Sequence, residues 1–318
     1  MLHDELGSLA KYFDSPTITE VMINNETSVF VEDECTMRYM GELHPGEIHA
    51  IVERILLPLG KRLDRVSPIV DARLHDGSRL CAIIPPISAQ GMCVSIRRFN
   101  TMSLTLDHFA LPPVVEFLKS AVHQRLNIMI SGKAGSGKTS LLNALCKHIE
   151  PFERVISIED VRELVIEVPN SVHLETRSST PEGVAGVSMT DLVRASLRMR
   201  PDRILIGEIR GAETVDMLSA LNTGHSGSMS SCHSHSAMHA VQRIESLMLQ
   251  HCPQWGRDTI REHVYSAIDI IVHLHRDENG KRCVAEIVEL PLAIHETPKQ
   301  LYCGTNVTAF TRSRKVGS

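Results

Sequence analysis

The feature that most constrains this chain is the run Gly132-Lys133-Ala134-Gly135-Ser136-Gly137-Lys138-Thr139, which follows the apolar stretch LNIMIS and opens the helix-forming stretch TSLLNALCKH. A G-x-x-x-x-G-K-T pattern between a strand and a helix is a phosphate-binding loop. Its glycines let the backbone curl so that successive amide N–H groups point inward at a phosphate chain, and the helix N-terminus adds the positive end of its dipole. In such a loop Lys138 reaches the β- and γ-phosphates of a nucleoside triphosphate and the Thr139 hydroxyl binds Mg²⁺, with Ser140 extending the nucleotide-contacting run from Gly132 onward. The spacing is not the G-x-G-x-x-G of dinucleotide-binding folds, so a dinucleotide cofactor is disfavoured.

The rest of the chain organises around that loop. RVISIED, RILIGEI, GSMSSCH and AIDIIVHLH are near-continuous apolar strands separated by helices, which predicts a mostly parallel, buried sheet. Ahead of it, TITEVMINNETSVFVE predicts two strands around a turn at Asn24-Asn25, and His49 to Leu59 has helical spacing. Two further strands flank a turn at Asp76-Gly77, and MCVSIRRF adds another, giving a small mixed α/β domain. With 318 residues the chain suits two domains. The expected division is an N-terminal domain over 1–105, a linker over 106–118 and the phosphate-loop domain over 119–318, with Pro112-Pro113 preceding an apolar helix over Val114 to Val122.

Composition excludes several classes. No apolar run approaches the eighteen or so residues that span a bilayer, and the start of the chain lacks a basic-then-apolar export signal. The eight cysteines form no C-x-x-C pair, so a reducing, cytoplasmic setting is expected. A net charge of −5 gives no global attraction to nucleic acid, and stable nucleic-acid binding is not expected. The short basic cluster Arg312-Ser-Arg-Lys315 reads as a disordered tail.

Two acidic strand ends carry further chemistry. In Arg203-Ile-Leu-Ile-Gly-Glu208-Ile-Arg210 an apolar strand ends in an acid, the Walker B arrangement that orients the attacking water or a Mg²⁺-bound one. Its first acidic position is Gly207, which leaves Glu208 alone. Ser157-Ile-Glu159-Asp160-Val-Arg-Glu163 ends in three carboxylates, and strand C-termini in an open α/β sheet border the ligand crevice.

Between Asn222 and His239 the stretch NTGHSGSMSSCHSHSAMH packs four histidines and one cysteine. A zinc site needs three or four converging ligands. On a strand His233 and His235 share one face while Cys232 points to the other, and His239 falls in the next helix, so no zinc is expected. His225 and His233 instead suit a γ-phosphate sensor, since a neutral imidazole can donate to the phosphate and lose that bond on hydrolysis.

With GKAGSGKTS, SIEDVREL, RMRPDRILIGEIRG and NTGHSGSMSSCH in that order, the chain resembles the secretion ATPase superfamily that powers type II and type IV secretion and type IV pili. The segment SPIVDARLHDGSRLCAIIPP followed by SIRRF looks most like its CpaF-like tight-adherence (Flp) pilus assembly branch. The resemblance implies a RecA-like P-loop NTPase domain preceded by a smaller mixed α/β, PAS-like domain, and a homohexameric ring working against an inner-membrane platform protein. It also implies Glu159 as the acid of the Asp box, Glu208 as the Walker B glutamate, and His225 and His233 as the pair of the His box. Arg79 and Arg97 match the arginines that reach the phosphates, with Arg98 as the neighbour that could replace Arg97, and Arg210 is a further candidate beside Glu208. The box closes on His233-Ser-His235 where the family usually has His-Ala-Asn. The function implied is Mg²⁺-dependent ATP hydrolysis driving pilus assembly or protein secretion, by a cytoplasmic protein peripheral to the inner membrane. The alternatives are a conjugative, DNA-transfer type IV secretion ATPase, a small-molecule kinase, and a non-catalytic assembly subunit.

Overall fold

The computed structural model describes residues 2–33, 36–99, 104–177, 179, 183–277 and 280–304. The chain divides into two compact units, Met1–Met102 and Ser103–Ser318. The basic cluster at 312–315 lies outside the described residues.

The first unit contains helices α1 (Leu2–Leu6), α2 (Ala10–Phe13) and α3 (Glu47–Leu56), with strands β1 (Ile18–Asn24), β2 (Ser28–Asp33), β3 (Thr36–Glu42), β4 (Ile69–Arg73), β5 (Arg79–Ile83) and β6 (Cys93–Arg97). The strands form one antiparallel sheet in the order β3-β2-β1-β6-β5-β4. Alternate residues face one core: Val21 and Ile23, Val29 and Val31, Leu80 and Ala82, Val94 and Ile96 are all buried. Helix α3 covers that face with Ile48, Ile51, Val52 and Ile55, spaced three and four apart. The expected turn at Asn24-Asn25 forms with Asn25 and Glu26 in the left-handed region.

The second unit is built on strands β7 (Ile128–Gly132), β8 (Val155–Glu159), β9 (Ser171–Glu175), β10 (Arg203–Ile206), β11 (Met229–His233), β12 (Ile270–Arg276), β13 (Arg282–Glu289) and β14 (Lys299–Cys303). Their order is β14-β13-β12-β7-β11-β10-β8-β9. The six from β12 to β9 are parallel, and the hairpin partners β13 and β14 run antiparallel at one edge. Helices α4 (Pro112–His123) and α5 (Lys138–Cys146) pack on one face, against Ile128, Ile130, Leu205 and Val272. Helices α6 (Met189–Ser196), α7 (Glu213–Asn222), α8 (Ala237–His251) and α9 (Arg257–Ala267) pack on the other, against Met129, Ile158, Ile204 and Ile271. Burial on both faces is why these strands are apolar at consecutive positions. Among the described residues no helix is long and apolar enough to cross a membrane.

The stretch 106–118, expected as a linker, belongs to the second unit's core. Leu106, Phe109, Val114, Val115 and Leu118 are buried there, and the Phe109 carbonyl accepts from Val284 N at 2.8 Å. As expected, Pro112 and Pro113 open a helix, α4, whose first turn needs no N–H donors.

Candidate functional site

The parallel register brings distant segments to one sheet edge. Gly132, the last residue of β7, lies beside His233, the last of β11, while Ile206 of β10 lies between Ser230 of β11 and Ile158 of β8. The C-terminal ends of β7, β11, β10 and β8 therefore carry the phosphate loop, His233, Glu208 and Glu159 side by side.

In the loop Lys133, Ala134 and Gly135 are exposed, Ser136 and Lys138 are buried, and Thr139 and Ser140 are half-buried in the first turn of α5. Lys138 Nζ donates to Gly132 O at 3.2 Å, to Lys133 O at 3.1 Å and to His233 Nδ1 at 3.1 Å. With Nδ1 accepting from an ammonium, a neutral His233 ring carries its proton on Nε2. That nitrogen stands 2.7 Å from Glu208 Oε1, a close contact that falls outside hydrogen-bond geometry. Burial and the adjacent Lys138 charge hold His233 below the usual histidine range, against the pull of Glu208 in the other direction.

Glu208 is fixed by its backbone neighbours. Gly207 N donates to Ile158 O at 3.0 Å, Ile209 N to Ser231 O at 2.9 Å, and Ser231 Oγ to Gly207 O at 2.6 Å. Arg210 Nε donates to Glu208 Oε2 at 2.9 Å, and its Nη1 lies 3.7 Å from Asp160 Oδ2. Asp160, which sequence reasoning counted only as one of three carboxylates, thus joins the same charged group.

Glu159 is buried at 3% exposure. Its Oε2 accepts from Glu163 N at 2.7 Å and Leu164 N at 3.0 Å, closing the SIEDVREL loop onto the end of β8. Oε1 is buried without a hydrogen bond. Burial pushes the carboxyl up to about 7, outweighing the two N–H bonds that favour its ionised form. A Cβ added at Gly207 would lie 3.0 Å from Glu159 Cγ. The side chain of Glu159 therefore stands over the position where a Walker B strand usually places its first acid. An unpartnered carboxylate oxygen and the Thr139 hydroxyl are the hard oxygen donors that suit Mg²⁺ or a water it holds.

His225 is not brought to the loop. It precedes β11, and a strand of five residues, about 13 Å of rise, separates the two ends of the box. Its Nδ1 donates to Ala220 O at 3.0 Å, at the end of α7. His233 ends β11 and His225 precedes its start, so residues close in sequence lie toward opposite ends of that strand. Cys232 points into the core and burial pushes its thiol up to about 12. His235 and His239 are exposed and meet edge to face at 6.5 Å. In the first unit Arg79 and Arg97 are cross-strand partners on β5 and β6. Arg98 is committed locally, donating to Ser15 O at 2.5 Å.

The chain is similar to known proteins over most of its length. The family model for type II/IV secretion system proteins matches residues 3–310. The type IV secretion system protein PtlH of Bordetella pertussis is 33% identical over 315 residues, covering 89% of this chain and 93% of its own. Conjugal transfer protein TrbB of Rhizobium radiobacter is 32% identical over 300 residues, covering 91% of this chain and 89% of its own. Among solved structures, the VirB11 ATPase from the Brucella suis type IV secretion system, crystallised with sulphate, is 29% identical. It aligns over 91% of this chain and 94% of that one with a TM-score of 0.51. These names favour the conjugative alternative over the tight-adherence branch that the N-terminal segment suggested. A matched phosphate loop, acidic strand ends and His233 on one sheet edge, together with a family match over nearly the whole sequence, place the chain in the type II/IV secretion system protein family.

Proposed function

We propose that this chain is a Mg²⁺-dependent ATPase that drives a type IV secretion apparatus of the conjugal-transfer kind. The observation that carries the reading is the continuous contact chain Lys138–His233–Glu208–Arg210 at the strand ends beside the phosphate loop. When ATP binds, Lys138 exchanges its loop carbonyls and His233 for phosphate oxygens. Glu208 orients the attacking water and takes its proton as that water adds in line to the γ-phosphorus and the bond to the ADP oxygen breaks. His233, neutral and held between lysine and glutamate, reports the terminal phosphate. Arg210 neutralises charge on the transferring group, and Glu159 supplies the carboxylate that position 207 lacks. Thr139 and Glu159 would hold Mg²⁺, directly or through water, and the ion would supply positive charge to offset that of the phosphates.

The relatives' names support the conjugal-transfer branch, and the net charge of −5 is compatible with a motor that need not grip nucleic acid itself. Within this reading the second unit is the RecA-like half and the first the PAS-like half. Arg79 and Arg97 are assigned to the phosphates by resemblance. The working form is a homohexamer in the cytoplasm, against an inner-membrane component of the apparatus. The test is steady-state phosphate release from ATP and Mg²⁺ by the purified protein with no acceptor added. Turnover is expected; turnover only with a small-molecule acceptor points to a kinase, and binding without any turnover points to a non-catalytic subunit.

A further inference from the structure

His233, Glu208, Arg210 and Glu159 lie on one flank of the phosphate loop, at or just beyond the ends of β11, β10 and β8. The other flank consists of β12 and β13, to which sequence reasoning assigned nothing. Arg282 opens β13 opposite Arg276, the last residue of β12, and β12 pairs with β7 so that Leu274 lies beside Gly132. Arg282 thus stands at the same end of the sheet as the loop.

Its side chain reaches back over that loop. A Cβ added at Gly137 would lie 2.6 Å from Arg282 Cδ, 3.2 Å from Nε and 3.4 Å from Cγ. The stem therefore rests on Gly137, at the N-cap of α5, with the guanidinium at its rim. Gly137 is held in the left-handed region, φ 94°, where a side chain would be strained as well as obstructed.

The direction of the nucleotide follows from the two flanks. Glu208 and His233 on one side fix where the transferred phosphate lies, so the remaining diphosphate and nucleoside extend toward β12 and β13. We propose that Arg282 is a nucleotide-binding residue that holds the nucleoside diphosphate portion, common to ATP and ADP, and not the transferred phosphoryl group. This rests on the ATPase reading. An interaction equal in substrate and product raises affinity without raising the rate of the chemical step.

The experiment measures the affinity of a fluorescent ADP, its displacement by ATP, and kcat at saturating ATP, for the wild type and for Arg282→Gln, Arg282→Met and Arg282→Lys. Removing one charge-assisted contact should weaken ADP and ATP alike by roughly tenfold in the Gln and Met variants. kcat should stay within about twofold of wild type, and Lys should recover part of the affinity. Wild-type affinity in Arg282→Met would show that only the stem matters, and loss of ATP but not ADP affinity would place the residue on the transferred phosphate; either overturns the proposal. Should the variants not fold, phenylglyoxal modification of wild-type Arg282, mapped by mass spectrometry, replaces them: ADP should slow it, and no protection overturns the proposal. A wild type that binds neither nucleotide refutes the ATPase reading itself, whereas wild-type binding with unaltered variants refutes only this assignment.

Discussion

Glu159→Gln tests whether the carboxyl beside Gly207 is as buried as its contacts indicate. The ordinary value for this group is 4.5, and burial raises it to about 7 in the folded chain. The folded state therefore holds the proton more tightly than the unfolded state. Its contribution to stability is complete below about 4.5 and is lost as pH rises through about 7. At about 1.4 kcal/mol for each pH unit over which the two states differ by a full proton, the part of that interval crossed between pH 5 and pH 8 amounts to about 2.5 kcal/mol. Glutamine keeps an oxygen for Glu163 N and Leu164 N but does not titrate. Trp255, the single tryptophan, lies in the second unit, so its fluorescence during urea unfolding without nucleotide reports the unit concerned. Relative to wild type, the variant should gain about 2.5 kcal/mol on going from pH 5 to pH 8, with other titrating groups cancelling in the comparison. Parallel stability curves would refute the reasoning, because Glu159 would then ionise in the fold without penalty.

Gly207→Ala should destabilise the second unit by about 1–3 kcal/mol, because the new methyl meets Glu159 Cγ at 3.0 Å on a strand end stitched to both neighbours; thermal melting checks this, and an unchanged melt would show that Glu159 swings aside freely. Arg203→Met should cost about 3–5 kcal/mol. Arg203 is fully buried and donates to both Glu153 oxygens at 2.7 Å, so the substitution leaves that carboxylate buried with only the partly exposed Arg125 as a counter-charge; equilibrium unfolding reads the loss, and a change under about 1 kcal/mol would contradict it.

The central sheet and its phosphate loop were legible because strands buried on both faces and a loop that must curl around anions leave little freedom in residue type. Edge elements were not. TMRYMGE forms β3 with all but Gly41 exposed, so no alternation marks it. Strand β9 and the β13–β14 hairpin likewise show mixed burial at the sheet edge. Pro112-Pro113 was legible as a helix start, because a first turn needs no N–H donors; what the sequence did not show is that the stretch from Leu106 onward packs into the second unit's core. At the site, Glu208, Glu159, Lys138 and His233 could be picked from motifs, but their contacts depend on parallel register between segments up to a hundred residues apart. His225 shows the converse: motif neighbours are separated when a strand runs between them. Arg282 follows a turn in a charged stretch and has no local signature, because its significance comes from β12 lying between β13 and the loop.

Glu208 is assigned the hydrolytic step at a site whose nucleotide grip lies elsewhere. The most direct measurement compares Glu208→Gln with wild type for ATP retention and single-turnover phosphate release. ATP should stay bound with affinity within a few-fold of wild type, while hydrolysis slows by at least about 100-fold. Hydrolysis by Glu208→Gln at the wild-type rate would contradict that assignment.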